Sequence, residues 1–315
     1  MKSTRLILAT SLALGSTACH RQMSAEDHSA HMAASPATGV AQQGSSALPA
    51  SNNAAAARVS ASTRRAGWIT VQDPESKKMI QAWIVYPSNA RGKAPVVVVV
   101  HDINGLSAWA RGVADQAASE GFIAVSPDFA SIARGGGSPV ELPRDSASKL
   151  LSPLPSAERN RIISATAAFA MALPEAEHRY GVIGYCWGGG TVFMHAVNGG
   201  VPGFSGGVAY YGLPYMNGAT PVRDSLTKIK VPVMLFNGAK DARIGAAMPA
   251  VDSAMKALGK NYVGTNYQGA THGFMRSQDD PKATRDPVEE AANLAATKDA
   301  WPRTIEFLKR NLGAR

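Results

Sequence analysis

Five consecutive valines, from Val96 to Val100, restrict the fold of this chain more than any other feature of its sequence. A half-exposed strand alternates apolar and polar residues, whereas an unbroken apolar run of this length is typical of a strand buried on both faces of a parallel sheet. Parallel neighbours need crossover connections, and these are usually helices. The valine run therefore predicts an α/β fold, with a mostly parallel sheet and helices on both of its faces.

The chain after Val100 alternates helical and strand patterns, as such a fold requires. Helices are predicted at residues 109–120, 156–173, 188 onward, 245–258 and 286–311, and strands at 122–126, 180–185, 207–211, 231–237 and 262–267. Residues 68–71 and 79–86 are predicted as edge strands. Residues 130–155, with their glycines and prolines, are predicted to be irregular and are a candidate lid. The pattern indicates one doubly wound domain over residues 66–315.

The segment Gly184-Tyr185-Cys186-Trp187-Gly188-Gly189 joins a predicted strand to a predicted helix. A tight strand-to-helix turn holds its central residue in a strained conformation, and glycines two positions before and after it let the neighbouring backbone pass close by. This pattern is typical of a nucleophile elbow, here with cysteine where serine usually stands. We therefore predict that Cys186 is a nucleophile. The alternative is a buried, unreactive thiol.

A thiol nucleophile needs a base to accept its proton and an acid to orient that base. After a nucleophile elbow, the acid and then the histidine follow in chain order. Asp241 comes after the predicted strand at 231–237, and His272 comes after the predicted strand at 262–267. Taken singly, Asp241 could be a turn residue and His272 a surface residue. Their order after Cys186 predicts a catalytic triad.

The elbow, Asp241 and the segment His272-Gly273-Phe274 resemble the dienelactone hydrolase family, a cysteine-dependent branch of the α/β-hydrolases. The resemblance covers residues 68 to 312. It implies an α/β-hydrolase fold and the hydrolysis of an ester or a lactone.

The resemblance also implies roles for residues around the triad. Arg276 corresponds to an arginine that binds the substrate carboxylate, and Arg134 is the nearest candidate for a second such arginine. Asp102 stands where the family has a glutamate that hydrogen-bonds the resting thiol, and its side chain is shorter by one methylene. The backbone N–H groups of Ile103 and Trp187 are expected to form the oxyanion hole.

The predicted reaction uses no metal and no organic cofactor. His272, held by Asp241, takes the proton of Cys186, and the thiolate attacks the ester or lactone carbonyl. Water then hydrolyses the thioester acyl-enzyme. An arginine fork at Arg276 would suit an anionic substrate. Two alternatives stay open, namely a broader carboxylesterase or thioesterase and a non-catalytic envelope lipoprotein that binds a ligand.

Composition excludes several other classes of protein. The two cysteines, Cys19 and Cys186, cannot build a disulfide scaffold or a four-cysteine zinc module. No apolar run reaches the roughly 18 residues that a membrane-spanning helix needs. Part of the net charge of +9 comes from residues 58–93, which have no zinc-finger pattern, no basic helical repeat and no interleaving of aromatic residues of the kind that a single-strand-binding surface requires, so no nucleic-acid partner is expected. The sequence leaves the oligomeric state open.

Residues 1–18 are typical of a secretory signal peptide. Lys2 and Arg5 precede an apolar stretch, and small residues then lead to Cys19. The Ser-Thr-Ala-Cys sequence resembles a bacterial lipobox, although Ser16 stands where leucine is usual. Cys19 is therefore either the lipidated first residue of a membrane-anchored protein or part of a chain released into the periplasm. Both interpretations predict export.

Residues 19–65 are rich in alanine and serine and contain no aromatic residue, so they are predicted to form a disordered tether. Some of their side chains are possible ligands for copper or another soft cation, namely His20, Met23, His28, His31 and Met32. Their spacing fixes no coordination geometry, so a tether without bound metal is the favoured interpretation.

Overall fold

The structure is a computed structural model, and it describes residues 47–88, 92–277 and 286–313. The predicted signal peptide, Cys19 and the histidines and methionines of the predicted tether lie outside the described residues.

The described chain forms one eight-stranded sheet and a two-stranded ribbon. The strands are β1 (Ala66–Gln72), β2 (Met79–Val85), β3 (Ala94–Val100), β4 (Ile123–Pro127), β5 (Ala176–Tyr185), β6 (Phe204–Tyr210), β7 (Met216–Asn217), β8 (Thr220–Pro221), β9 (Val233–Gly238) and β10 (Tyr262–Tyr267). The helices are α1 (Ala55–Ala61), α2 (Ala108–Ser119), α3 (Phe129–Ala133), α4 (Arg144–Leu151), α5 (Ser156–Met171), α6 (Trp187–Asn198), α7 (Arg223–Thr227), α8 (Ala242–Ala257), α9 (Phe274–Ser277) and α10 (Pro287–Leu312).

The strands of the large sheet follow the order β1-β2-β4-β3-β5-β6-β9-β10. The pairs β1–β2 and β2–β4 are antiparallel, and every other neighbouring pair is parallel. This confirms the predicted mostly parallel sheet. The prediction of two edge strands is wrong for β2, which lies between β1 and β4. Pro87 falls after the last residue of β2 and therefore removes no hydrogen bond from its ladders.

The five valines of β3 are completely buried near the middle of the sheet. Helices cover both faces, as predicted. Helices α2 and α10 pack on one face, where Lys309 of α10 pairs with Glu120 at the end of α2. Helices α5 and α6 pack against each other and against the central strands on the opposite face. Within the described ranges, no helix combines the length and the apolar character needed to cross a membrane.

The carboxyl ends of the parallel strands lie at one edge of the sheet, and the predicted site residues come directly after them. Asp102 follows β3, Cys186 follows β5, Asp241 follows β9 and His272 follows β10. In open α/β sheets this edge is where ligands bind. The order of the strands therefore brings together residues that are far apart in the sequence.

The prediction of a disordered tether up to residue 65 is wrong for its last part. Residues 55–61 form α1, which packs on α2, and both Ala50 and Ala55 are buried. Alanine provides little apolar surface, but it allows a helix to approach a neighbour closely. Packing against α2 therefore stabilises a segment whose composition alone indicates disorder.

The prediction that residues 130–155 are irregular is also wrong in part. Helix α4 lies within them, and its residues Ala147 and Leu151 are completely buried. The four-residue spacing of these two side chains places them on one face of the helix, which packs against the domain. The role of this segment as a lid stays a prediction.

Candidate active site

Cys186 lies on the sharp turn between β5 and α6. Its backbone has φ 55° and ψ −112°, a conformation that residues with a side chain rarely adopt. A Cβ atom on Gly184 would lie 2.2 Å from the carbonyl oxygen of Gly188, and one on Gly188 would lie 2.4 Å from the carbonyl oxygen of His101. Only glycine fits at these two positions, so the turn has the geometry expected of a nucleophile elbow.

Asp241 orients His272. The His272 Nδ1 atom donates a hydrogen bond to Oδ2 of Asp241 at 2.5 Å. The other carboxylate oxygen, Oδ1, accepts a hydrogen bond from the backbone N–H of Ile244 at 3.1 Å, so Asp241 also caps the N-terminus of α8. The Asp241 side chain is only 8% exposed. The carboxylate is therefore fixed by a helix end on one side and presented to the imidazole on the other.

The pKa of His272 is raised above its usual value. Burial opposes the charged imidazolium, but hydrogen bonding to Cys186 and to Asp241, together with the charges of these two groups, outweighs burial. The imidazole is hydrogen-bonded to the carboxylate and lines the same cleft as the Cys186 thiol. The structure brings Cys186, His272 and Asp241 together in the predicted order.

Tyr211, which the sequence reasoning missed, lies beside the triad. Its ring centroid is 4.9 Å from that of His272, and the side chain is buried. Among the described residues, no group hydrogen-bonds the Tyr211 hydroxyl. Its pKa is raised well above the usual value, chiefly by burial and then by the negative charge of Asp102. Tyr211 directly follows β6, the strand next to β5, and this position was a signal that could have identified it.

Asp102 pairs with Arg276 at the cleft. The Arg276 guanidinium donates to Oδ2 of Asp102, while Oδ1 accepts the backbone N–H of Asn104 at 2.9 Å. The guanidinium carbon also lies 4.7 Å from the centre of the Trp109 ring. None of the described hydrogen bonds of Asp102 reaches the Cys186 thiol, so the predicted resting contact is not formed in this arrangement. The short side chain and the nearby guanidinium explain the difference.

His101, next to Asp102, supports the loop after β3. Its Nε2 atom accepts the backbone N–H of Phe129 at 3.3 Å, so Nδ1 carries the proton and donates to the Asp102 carbonyl at 2.7 Å. The ring stacks on Trp187 with centroids 6.0 Å apart. Burial lowers the pKa of His101, which keeps it neutral. Its position indicates a packing role.

Arg134 does not reach the cleft, so its predicted role as a second substrate-binding arginine is wrong. It pairs with Asp128 at the start of α3 and donates to the Ser138 carbonyl at 3.4 Å. The loop after β4 turns at once into α3, and Asp128 captures the guanidinium. A different arginine, Arg144 at the start of α4, lines the cleft instead.

Cys186 and His272 line a cleft of about 710 Å³, and Asp241 lies behind His272, outside the lining. Ile103, Tyr211 and Arg276 line it together with residues of α4 and of the chain before α1. Trp187 begins α6 directly after Cys186, and the oxyanion hole stays a prediction. Among the described residues, no group of three histidine, cysteine or acidic side chains is placed to hold a metal ion.

Residues 80–312 match the model of the dienelactone hydrolase family. A protein of Synechocystis sp., provisionally named a carboxymethylenebutenolidase, is 27% identical over 247 residues, which cover 76% of this chain and 95% of the relative. A solved structure of a protein provisionally named a dienelactone hydrolase, from Klebsiella pneumoniae, aligns with a TM-score of 0.63 at 24% identity, covering 78% of this chain and 98% of that one.

A second solved structure is that of P91 from metagenomic libraries, described as a dienelactone hydrolase-like promiscuous phosphotriesterase. It aligns with a TM-score of 0.60 at 20% identity and covers 79% of this chain and 99% of that one. At these identities the solved structures establish the fold alone, which is that of the α/β-hydrolases. The family match spans most of the chain and confirms the resemblance seen in the sequence, so this protein is a hydrolase of the dienelactone hydrolase family.

Proposed function

We propose that this protein cleaves a carboxylic ester or lactone through a Cys186-His272-Asp241 triad and a thioester acyl-enzyme. His272 takes the thiol proton of Cys186, and the resulting thiolate attacks the substrate carbonyl carbon. The tetrahedral intermediate collapses, the C–O bond breaks, and the leaving alkoxide receives the proton from His272. Water, activated by the same imidazole, then attacks the thioester and releases the acid and the free thiol.

The hydrogen bond of 2.5 Å between His272 and Asp241, beside a cysteine on a strained elbow, is the observation that carries this proposal. The bond fixes the tautomer in which Nε2 is available to the thiol. The raised pKa of His272 favours its protonated form, which would stabilise negative charge that develops beside it. These features support the proposal of a thiol nucleophile at Cys186.

The proposed oxyanion hole consists of the backbone N–H groups of Ile103 and Trp187. Its support is the close approach of Gly188 to the carbonyl oxygens of Val100 and His101, which would lie 2.5 and 2.4 Å from a Cβ atom on that glycine. This approach sets the loop after β3 beside the first turn of α6. Two N–H donors near the attacked carbonyl would stabilise the negative charge that develops there.

We propose that the substrate carries a negative charge, because two arginines line the cleft. Three carboxylate residues line it as well, and of these Asp102 pairs with Arg276 and Glu141 pairs with Arg111 outside the lining. Arg276 is largely buried, and Arg144 is exposed at the opening. The planar guanidinium of Arg276 can bind a carboxylate through two hydrogen bonds. The Synechocystis relative is named for an activity on a carboxylate-bearing lactone, which agrees with such a substrate.

A broader carboxylesterase or thioesterase is the second candidate. The pairing of Asp102 with Arg276 favours it, because a carboxylate that already neutralises the arginine competes with an anionic substrate. Under this alternative the chemistry at Cys186 is the same and only the substrate differs.

The test compares the full-length protein with its Cys186→Ala variant on a short neutral aryl ester and on a dienelactone. We expect wild-type turnover of both substrates and a loss of about 10⁴-fold in the variant. Turnover of the aryl ester alone would support the broader esterase. Full activity of Cys186→Ala would contradict the triad. A wild-type protein inactive on both substrates would favour a ligand-binding role.

We also propose that residues 1–18 direct export and that Cys19 is lipidated after cleavage. The support is the charged, apolar and small-residue pattern of the sequence. Metabolic labelling with an alkyne fatty acid should mark the wild-type protein and leave a Cys19→Ser variant unlabelled. A wild-type protein found in the periplasmic fraction without label would instead indicate plain cleavage.

A further inference from the structure

An N-terminal strap, defined here as residues 47–61, borders the catalytic cleft and lies outside the family-matched residues 80–312. The indole N–H of Trp109 donates to the Ala50 carbonyl at 3.1 Å. The Nη1 atom of Arg58 donates a hydrogen bond to the Leu48 carbonyl oxygen at 2.7 Å. Ala50 and Ser51 are buried. The Trp109 hydrogen bond and this burial hold the strap to the edge of the cleft, whereas the bond between Arg58 and Leu48 lies within the strap itself.

Helix α1 anchors the other end of the strap on α2. A Cβ atom on Gly112 of α2 would lie 3.6 Å from Val59 and 3.7 Å from Ala55, which are ordinary packing distances. Arg58 also donates to the Gln116 side chain on α2 at 2.6 Å. The strap is therefore attached to a helix of the hydrolase domain.

Asn52 of the strap binds Arg276 in two ways. Its backbone N–H donates to the Arg276 carbonyl at 2.8 Å, and its side-chain oxygen accepts a hydrogen bond from a guanidinium N–H of Arg276. Both residues line the same cleft as Cys186. The strap thus fixes the backbone and the charged group of the arginine that would meet an anionic substrate.

Three groups confine the Arg276 guanidinium. Asp102 accepts from one terminal nitrogen and Asn52 accepts from the other. The guanidinium carbon lies over the Trp109 ring, 4.7 Å from its centre. A guanidinium has five N–H donors, and the two hydrogen bonds use two of them. The remaining donors have a fixed direction only while all three contacts hold.

We propose that Asn52 is a positioning residue that orients Arg276 towards the carboxylate of the substrate, so that the strap sets the preference of the cleft for anionic acyl groups. This inference rests on the proposed function. Without the Asn52 side chain, the guanidinium keeps Asp102 and Trp109 and loses the contact on its other nitrogen. It then samples more orientations, which weakens anion binding and leaves the attack by Cys186 unchanged.

The first test measures hydrolysis of two nitrophenyl esters with acyl chains of equal length, the neutral butyrate and the anionic hemisuccinate, by the full chain. Asn52→Ala should raise KM for the hemisuccinate about fivefold. The kcat for the hemisuccinate, and both kcat and KM for the butyrate, should stay within about twofold of the wild-type values. Arg276→Gln should abolish the preference for the anion. The control, Asn311→Ala, removes an asparagine side chain of α10 whose hydrogen bond, within the described part of the chain, is to the Phe307 carbonyl of the same helix.

An unchanged ratio of kcat/KM for the two esters in folded Asn52→Ala would overturn the proposal. An equal loss on both esters would also overturn it, because the strap would then have a purely structural role. Wild-type hydrolysis of both esters without preference for the anion would refute the inference and leave the proposed function standing.

A second test does not depend on hydrolysis. Iodoacetate and iodoacetamide alkylate a thiol by the same displacement of iodide and differ in charge, and peptide mass mapping separates Cys186 from Cys19. Asn52→Ala should lower the ratio of the iodoacetate rate to the iodoacetamide rate at Cys186 about threefold. A ratio equal to that of the wild type would overturn the inference, whether or not the esters are substrates. Failure to hydrolyse either ester is a separate result, and it would count against the proposed function.

Discussion

The floor and the rim of the cleft are built from different parts of the chain. The name floor is used here for Cys186 and His272, which line the cleft, together with Asp241 behind His272, and each of these follows a parallel strand of the sheet. The rim contains Asn52 from the strap and Arg144 from α4, segments that pack on the domain from outside the sheet. The sheet fixes the relative positions of the proposed triad residues, whereas the rim residues lie on segments outside the sheet. We infer that the floor sets the chemistry and the rim sets the substrate.

The largest expected effect comes from the floor. Asp241→Asn keeps a side-chain oxygen for the cap of α8 and removes the negative charge beside His272. Because Asp241 helps to raise the pKa of His272, this pKa should fall, and kcat should fall about 10³-fold. An NMR titration of the His272 ring and steady-state kinetics measure the two effects. An unchanged pKa of His272 together with full activity would contradict the proposed role of Asp241.

A second change to the floor should damage both its chemistry and its stability. Gly188→Ala places a Cβ atom 2.4 Å from the His101 carbonyl oxygen, a backbone atom that cannot move aside cheaply. We expect the free energy of unfolding to fall by about 3 kcal/mol, measured by urea denaturation. Gly112→Ala is the matched control, because a Cβ there meets only ordinary contacts and alanine favours the helix. Equal stability of the two variants would contradict the close packing of the elbow.

Tyr211 lines the cleft beside His272. Removing its hydroxyl distinguishes a role in packing from a role in binding the substrate. Tyr211→Phe removes a buried hydroxyl that no described residue hydrogen-bonds, so stability should stay equal or rise by up to about 1 kcal/mol. We expect kcat to fall about tenfold, because the hydroxyl would donate to the bound substrate. In the control Tyr210→Phe, the lost hydroxyl bonds Thr304 at 2.6 Å, so stability should fall while catalysis is kept. If Tyr211→Phe is as active as the wild type, the role of Tyr211 is confined to packing.

The smallest expected effect is at the exposed rim. Arg144→Ala removes a charge at the cleft opening and should raise KM for the anionic hemisuccinate about twofold at low ionic strength. The difference should vanish in about 0.5 M salt, because solvent screens exposed charges. A comparable change for the neutral butyrate would show that Arg144 acts by shape rather than by charge.

The floor could be predicted from the sequence, and the rim largely could not. The elbow has a local pattern, and Asp241 and His272 follow strands whose apolar runs are recognisable. Arg276 was identified by its offset from the histidine, but its partners Asp102 and Asn52 are 174 and 224 positions away. Residues 47–61 have the composition of a tether, and packing against α2 and hydrogen bonds to Arg276 order them. Arg134 was misassigned because the ion pair with Asp128 depends on how α3 turns.

The most direct test of the account is to identify the residue that carries the acyl group during turnover. The full-length protein is mixed with an excess of nitrophenyl butyrate, quenched in acid and digested, and the peptides are mapped by mass, with Cys186→Ala treated alongside. The account predicts one butyryl thioester, sensitive to hydroxylamine, on the peptide that contains Cys186 and none in the variant. A butyryl group on a different residue, or product formed by Cys186→Ala at the wild-type rate, would contradict it.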